Sequence, residues 1–368
     1  MKSEKKSFLE HPAIQSVIAS LLCILIGLLI GFFVLLFINP SEAGRAMLSI
    51  LKNFLYFPRP AVAIEYLGST LVKTAPLLMC TLAILFAYKV GLFNIGAAGQ
   101  YTVGAGMALY CAIAFKMPWY ICILAAVIGG GLLGAIAGAL KAYLNVNEVI
   151  AGIMLNWISL YSVNTLLTGV KESSTTYTLA LRTNAPAGLI PHLGLSLLFS
   201  GNKYVTIAIP LSILFAVLVW VVMEKTKLGY ELKATGLNIN AAKYAGMKEK
   251  QNLILTMAIS GGIAGLGAAF LYLSGIEQWS CAQTSVPAMG FNGIAAAFLG
   301  GLHPIGCIFS AFFIQHITSG GSYVDKMVYS SQISDLISAI IIYFCGFVLF
   351  FKQCMNKALA KKKGGSKS

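Results

Sequence analysis

Ten long apolar runs constrain this chain more than any other feature of its sequence. A helix needs about 20 apolar residues to cross the hydrocarbon core of a bilayer, and lipid offers the backbone no hydrogen-bond partners outside a helix or a closed barrel. The sequence therefore predicts an all-α, polytopic membrane protein with about ten transmembrane helices, forming a single domain over residues 1–368 with its core at 67–351. The runs, each about 16 to 25 residues long, lie near 13–38, 66–88, 92–115, 119–143, 149–168, 204–223, 252–275, 286–302, 304–320 and 332–351.

The positive charges indicate how these spans are oriented. The net charge is +14, and the lysines and arginines lie mainly between and beyond the apolar runs. Cytoplasmic segments of membrane proteins carry an excess of Lys and Arg. Ten spans with both termini in the cytoplasm follow this rule, since the loop at 224–251 and the basic tail at 352–368 are then cytoplasmic and the loop at 169–203 is external. We attribute the charge to membrane topology and expect contact with lipid but no nucleic-acid partner.

Several kinds of chemistry have no support in the sequence. No Cys-x-x-Cys or Cys/His spacing is present for a metal, and no GxxxxGK[ST] motif is present for a nucleotide. No Ser/His/Asp, HExxH or GxSxG arrangement suggests an enzyme. Most of the 12 acidic residues fall in loops or at span ends, which disfavours an ion-coupled secondary transporter, the alternative from another class. We therefore predict a non-catalytic chain that binds no cofactor or metal.

The polar loop at 224–251 predicts a short helix on the cytoplasmic side. Asn238 can cap the first turn, Ala241 and Ala242 favour helix, and Gly246 can end it in the left-handed conformation. A capped helix in a polar loop between two spans does not pack against the lipid core. We expect a partner protein to bind it.

Two glycine-rich stretches interrupt the apolar runs. Gly-Leu-Phe-Asn begins at 91 and Gly-Phe-Asn-Gly at 290, in halves that run in opposite directions by the predicted topology. Paired interrupted segments in inverted halves indicate a translocation site. The candidate pathway residues are neutral and polar, which suits an uncharged polar solute, although hydrogen bonding between helices would also explain the amides. They are Asn94, Gln100, Asn156, Trp157 and Asn292.

Glycines at intervals of four predict close helix packing. Gly130, Gly134 and Gly138 share one helix face, as do Gly261 and Gly265. Such small residues let two helix backbones approach each other closely in a membrane.

Four stretches together resemble the permease subunits of bacterial ATP-binding cassette (ABC) importers for simple sugars and nucleosides, a group related to branched-chain amino-acid permeases. They are GLFNIGAAGQ at 91–100, NEVIAGIMLNWI at 147–158, TGLNINAAKYAGM at 235–247 and GFNGIAAAFLGGLHPIG at 290–306. The residues at 147–149 and 154–156 resemble the nucleoside branch more closely than the ribose branch. A simple sugar such as ribose or galactose is the alternative substrate. Two departures from the family pattern are Ala98, where Glu is frequent, and Asn240, where Pro or Lys is commoner.

The resemblance implies a subunit of the bacterial cytoplasmic membrane with several partners. These are a cytoplasmic ATP-binding subunit that uses ATP and Mg²⁺, a second permease subunit and an external solute-binding lipoprotein. It also implies that 236–247 is the coupling helix that docks on the ATPase. The residues expected to carry this contact are Gly236, Asn238, Ala241, Ala242, Tyr244 and Gly246.

Overall fold

The computed structural model describes residues 12–325, 327–329, 336–337, 339–340, 343–344, 346–348, 350–354 and 356–357. Within them the chain is helical, and the only β-type pairing is a pair of isolated bridges, Lys171 with Thr178 and Tyr177 with Ser280. The α-helices are α1 (Pro12–Ile38), α2 (Ala43–Lys52), α3 (Pro60–Lys89), α4 (Ala97–Ile113), α5 (Trp119–Leu144), α6 (Glu148–Thr168), α7 (Leu181–Asn184), α8 (Leu195–Leu198), α9 (Ala208–Lys225), α10 (Lys227–Leu237), α11 (Ile239–Tyr244), α12 (Glu249–Tyr272), α13 (Met289–Leu299) and α14 (Pro304–Gly321).

Among the described residues, six helices are long and apolar enough to cross a membrane, namely α1, α3, α5, α6, α9 and α12. This confirms an all-α polytopic membrane protein. Helix α4, with 17 residues, is shorter than its predicted span because the first glycine-rich stretch lies before it. Helix α13 has only 11 residues, and the second glycine-rich stretch, at 290–293, lies inside it. The tenth predicted run, 332–351, lies partly outside the described residues, so the count of ten spans stays a prediction.

The chain divides into two compact units. The larger unit comprises Phe57–Ile294, and its centre is formed by α3 and α12, whose apolar stretches are mostly buried. Around α12 pack α3, α4 and α5, while α6 packs on α4 and α9 on α3. The second unit comprises Met1–Tyr56 and Ala295–Ser368. In it, α14 packs on α2, and the Ser20 hydroxyl on α1 donates a 2.7 Å hydrogen bond to the Leu299 carbonyl.

Helices α5 and α12 meet backbone to backbone along the predicted glycine stripe. A Cβ on Gly134 would overlap the carbonyl of Met257, and one on Gly138 would lie 2.8 Å from the Cα of Ile254. A Cβ on Gly130 would in the same way overlap the carbonyl of Gly261. The prediction of close packing at these glycines is therefore confirmed.

Candidate coupling segment and polar core

The polar loop at 224–251 folds into two consecutive helices, α10 and α11. The Thr226 hydroxyl caps α10 by accepting a 3.1 Å hydrogen bond from the backbone N–H of Gly229. The side-chain oxygen of Asn238 caps α11 by accepting a 3.0 Å bond from the N–H of Ala241. Gly246 follows α11 with φ +79°, the left-handed conformation that ends a helix. The predicted short helix is thus present at 239–244, whereas α10 was not predicted.

An ion-pair cluster ties α10 to two neighbouring helix ends. The carboxylate of Glu224, in the last turn of α9, lies 2.9 Å from the ammonium of Lys233 on α10 and 3.3 Å from that of Lys89 at the end of α3. All three side chains are partly exposed, so each pair contributes at most about 1 kcal/mol. The cluster therefore orients α10 more than it stabilises the fold.

The end of α10 lies against the turn that precedes the first glycine-rich stretch. A Cβ on Gly236 would overlap the carbonyl of Val90, and a Cβ on Gly91 would lie 3.0 Å from the carbonyl oxygen of Gly236. Beside this contact, the amide of Asn252 on α12 donates a 2.8 Å hydrogen bond to the hydroxyl of Thr235. Gly91 has φ +79° and so adopts a conformation that suits glycine. We call the contact between Gly236 and Val90–Gly91 the glycine joint.

Helix α11 presents a mostly exposed surface. Asn238, Ala241, Tyr244 and Gly246 are exposed, as is Gly236 before them, while Ala242 is buried and packs inward. Tyr244 is 94% exposed, and Leu237, which the sequence analysis did not single out, is 87% exposed. Large apolar side chains that are exposed side by side are typical of a surface that a partner covers. Leu237 could have been identified from the sequence, because it is an apolar residue directly before the capping Asn238.

The first glycine-rich stretch is held by a small polar core. The side-chain amides of Asn94 and Gln100 bond to each other, with 2.7 Å from Asn94 Nδ2 to Gln100 Oε1 and 3.3 Å in the reverse direction. Asn94 Nδ2 also donates a 2.7 Å bond to the hydroxyl of Ser260 on α12, which in turn donates to the carbonyl of Ala83 on α3. Both amides are 1% exposed. This core links α3, α4 and α12, and Ser260 is a member that the sequence analysis missed.

The candidates on α6 have different surroundings. Asn156 is 2% exposed; its side-chain oxygen accepts a 2.7 Å bond from the N–H of Gly99, and its Nδ2 donates a 3.1 Å bond to the carbonyl of Ile95. The adjacent Trp157 is 43% exposed and stacks on Tyr161 with ring centroids 6.2 Å apart. Asn156 therefore holds the first glycine-rich stretch against α6, and Trp157 points away from it.

The two glycine-rich stretches meet each other. A Cβ on Gly290 would lie 2.5 Å from the Cα of Ala98, and one on Gly293 would lie 3.0 Å from the Cβ of Cys80 on α3. Asn292, between these glycines, is half-buried. Ala98 is fully buried at this contact, where an unpaired carboxylate would be costly to bury.

Comparison with known proteins places these features in a family. Residues 66–346 match the family described as branched-chain amino acid transport system / permease component. A guanosine ABC transporter permease protein, NupP of Bacillus subtilis, is 32% identical over 358 residues, which cover 96% of this chain and 99% of that protein. A nucleoside ABC transporter permease protein, NupB of Lactococcus lactis, is 33% identical over 81% of this chain and 85% of its own.

A more distant relative has a different name. The glucose ABC transporter permease protein TsgB13 of Haloferax volcanii is 28% identical over 78% of this chain and 77% of its own. No solved structure matches the chain. The family match covers most of the chain, including α3 to α14 and both glycine-rich stretches, and the chain therefore belongs to the permease components of the branched-chain amino-acid transport type.

Proposed function

We propose that this chain is the permease subunit of an ABC importer that carries nucleosides across the bacterial cytoplasmic membrane, with both termini in the cytoplasm. The observation that carries the proposal is the similarity to NupP, a guanosine permease by name, along nearly the whole of both chains. NupB, a nucleoside permease by name, supports the same substrate class.

The coupling step is proposed to begin at α11. A cytoplasmic ATP-binding subunit, which binds ATP and Mg²⁺, would hold the exposed surface around Leu237 and Tyr244. Asn238, Ala241, Ala242 and Gly246 would shape and present this surface, and Gly236 would connect it to the membrane region. Movement of α11 would then reach the first glycine-rich stretch through the glycine joint, because Val90–Gly91 lies a few residues before Asn94.

The passage is proposed to lie beside the two glycine-rich stretches. Asn94, Gln100, Asn156 and Asn292 supply amides and no formal charge, which suits a neutral polar solute. The first three already have hydrogen-bond partners in this structure, so a passing solute would have to exchange with those partners and would be held weakly. Weak binding favours release, as a transporter requires. Trp157 points away from the first glycine-rich stretch, so it would line the passage only on the other side of α6, where its exposed ring offers a face for a base or sugar.

The remaining partners follow from the proposed class. A second permease subunit, either a copy of this chain or a homologue, would complete the path. An external solute-binding lipoprotein would deliver the solute to the side on which the 169–203 loop lies in the proposed topology.

A simple sugar is the second candidate substrate. The relative named as a glucose permease supports it, although at lower identity and over less of the chain than NupP. Both solutes are neutral and polar, so the polar core alone does not separate them.

Competition for uptake tests the substrate class. Cells that depend on this chain take up labelled guanosine in the presence of excess unlabelled inosine, adenosine, uridine, ribose or galactose. We expect nucleosides to compete and the free sugars not to compete. If ribose or galactose blocks uptake of the label and the nucleosides have no effect, the nucleoside proposal is wrong and the sugar takes its place.

A further inference from the structure

A closed loop between α7 and α9 carries three exposed leucines at its tip. The N–H of Ile207 donates a 3.1 Å hydrogen bond to the carbonyl of Pro191, and the ring of His192 bonds to the carbonyl of Val205 at 2.6 Å. The two ends of the loop are therefore held together, and α8 lies between them. The three leucines, which we call the leucine tip, are 75%, 80% and 74% exposed and are Leu193, Leu197 and Leu198.

The backbone on both sides of α8 directs this helix away from the rest of the protein. Leu193 and Gly194, which precede it, have φ +43° and +82°, and Ser200 and Gly201, which follow it, have φ +53° and +79°. A bulky residue such as leucine rarely adopts the left-handed conformation. None of the four residues of α8 is buried. The strained backbone therefore presents the leucine tip outward instead of packing it against the protein.

Helices α3 and α9 indicate the depth of this loop in the bilayer. Lys89 and Glu224, near the ends of these two helices, form an ion pair of 3.3 Å, so both helices end at the same membrane surface. The hydrocarbon core is about 30 Å thick, or about 20 helical residues. Counting back about 20 residues from Lys89 reaches Ser69, and α9 begins at Ala208 and spans about 27 Å. The opposite boundary of the hydrocarbon core therefore lies near Ser69 and Ala208.

The loop is attached to α3 at this boundary. The amide of Asn202, which is 4% exposed, donates a 2.8 Å hydrogen bond to the carbonyl of Glu65 and a 2.9 Å bond to the hydroxyl of Ser69. A Cβ on Gly68 would lie 3.0 Å from the Cβ of Phe199, the residue directly after α8. The leucine tip therefore lies at the edge of the hydrocarbon core, on the side opposite the polar loop at 224–251.

The neighbouring residues are of the kinds found at a membrane interface. The ring of Tyr204 lies beneath the ammonium of Lys203, at 5.3 Å, and beneath the guanidinium of Arg182, at 4.9 Å. Tyrosine is enriched where the bilayer meets water. Further along α9, exposed apolar side chains such as Ile213 and Leu214 form the surface of a helix that faces lipid. The leucine tip therefore continues an apolar surface that already contacts the membrane.

We infer that the leucine tip inserts into the boundary between headgroups and acyl chains in the leaflet opposite the polar loop at 224–251, and so anchors the loop to the membrane. Apolar side chains at this depth leave water, which favours insertion. Interfacial elements bury their apolar face about 5–10 Å deep. A solute-binding protein could also cover leucines, but it would approach from the water and not at the depth of the acyl chains. The anchor is independent of the transported solute.

Tryptophan at the leucine tip tests this depth. The full chain carrying Leu197→Trp, or Leu198→Trp as a second reporter, is reconstituted alone in phosphatidylcholine vesicles. The lipid carries bromine on its acyl chains, either near the headgroup or near the terminal methyl group, and bromine quenches tryptophan fluorescence on contact. Quenching of the native tryptophans, measured with the wild-type chain, is subtracted. We expect both reporters to be quenched more strongly by bromine near the headgroup.

Two control variants mark the depths above and below the leucine tip. Leu218→Trp, at a 49% exposed position in the middle of α9, should be quenched most strongly by bromine near the terminal methyl group. Thr175→Trp, in an exposed turn between α6 and α7, should be quenched by neither lipid. Quenching of both leucine-tip reporters as weak as that of Thr175→Trp would overturn the anchor, and quenching like that of Leu218→Trp would overturn its interfacial depth. A blue shift of their emission only after a solute-binding protein is added would assign the leucines to protein docking instead.

Discussion

Alanine at Gly236 tests whether the glycine joint carries movement from α11 into the membrane. Alanine gains about 0.5–1 kcal/mol of helix propensity over glycine. At this position, however, the new Cβ overlaps the carbonyl of Val90, and overpacking of this kind costs about 1–3 kcal/mol. The overlap prevails because a backbone carbonyl cannot rotate away as a side chain can. A net cost of about 1.4 kcal/mol lowers the equilibrium constant between docked and undocked α10 about tenfold.

The assay measures coupling and docking separately. The transporter is reconstituted with its ATP-binding subunit, and nucleoside uptake and ATP hydrolysis are measured in the same vesicles. We expect Gly236→Ala to transport less solute per ATP hydrolysed, by at most about tenfold. Limited trypsin cleavage reports docking at Lys233 on α10, because its side chain is only 29% exposed and is paired with Glu224 in the docked structure, and we expect faster cleavage there in the variant.

The matched control is Gly44→Ala on α2. It makes the same chemical change in a helix where nothing lies within 4 Å of the new Cβ. We expect normal transport per ATP and native cleavage at Lys233 in this control. Native values of both quantities in Gly236→Ala would refute the role given to the joint.

Three further predictions address the polar core, the packing and the topology. Ser260→Ala removes the acceptor for Asn94 and a donor to Ala83, so we expect a loss of about 1–3 kcal/mol of stability, measured as a lower midpoint of thermal unfolding in detergent. Gly134→Ala places a Cβ on the carbonyl of Met257, and we expect a similar loss of about 1–3 kcal/mol by the same measurement. With both termini in the cytoplasm, Ser174→Cys should react with an impermeant thiol reagent outside intact cells, whereas Tyr230→Cys should react only after permeabilisation.

Each of these measurements has a control. Ser212→Ala removes a hydroxyl that bonds to Ile209 of its own helix, and it should unfold near the wild-type midpoint; an equal loss in both serine variants would contradict the role of the polar core. Gly44→Ala serves again for the packing variant. For the labelling, burial raises the pKa of the Cys281 thiol, so this native cysteine reacts slowly at neutral pH, and Cys281→Ser removes what background remains. Labelling of Tyr230→Cys from outside intact cells would reverse the orientation.

Features set by neighbouring residues were predictable from the sequence. The cap at Asn238, the left-handed Gly246 and the close approach at Gly130 and Gly134 depend on local backbone geometry and on the absence of a side chain. Helix α10 was missed even though Thr226 is a capping residue and Leu228 and Leu232 are four residues apart. The many charged residues of the loop made this helical pattern difficult to recognise.

Contacts between distant parts of the chain could not be read in the same way. The bond from Asn94 to Ser260 joins residues 166 positions apart, and the contacts of Gly236 with Val90 and of Gly290 with Ala98 depend on how the helices assemble. A serine or glycine in an apolar run has many possible neighbours, so the residue type alone does not identify which one it contacts. The likeness of the two glycine-rich stretches suggested a relation between them, but not that they touch.

The glycine stripe between α5 and α12 limits which second mutations can repair a substitution in it. Where two side chains clash, a smaller residue on the opposing helix can restore the fit. At Gly130 and Gly134 the opposing atoms are the backbone carbonyls of Gly261 and Met257, which every amino acid carries. No substitution at either opposing position can therefore make room for a side chain on α5. A selection for revertants of Gly134→Ala should return glycine at 134 or changes that shift a whole helix, and no compensating exchange at Met257.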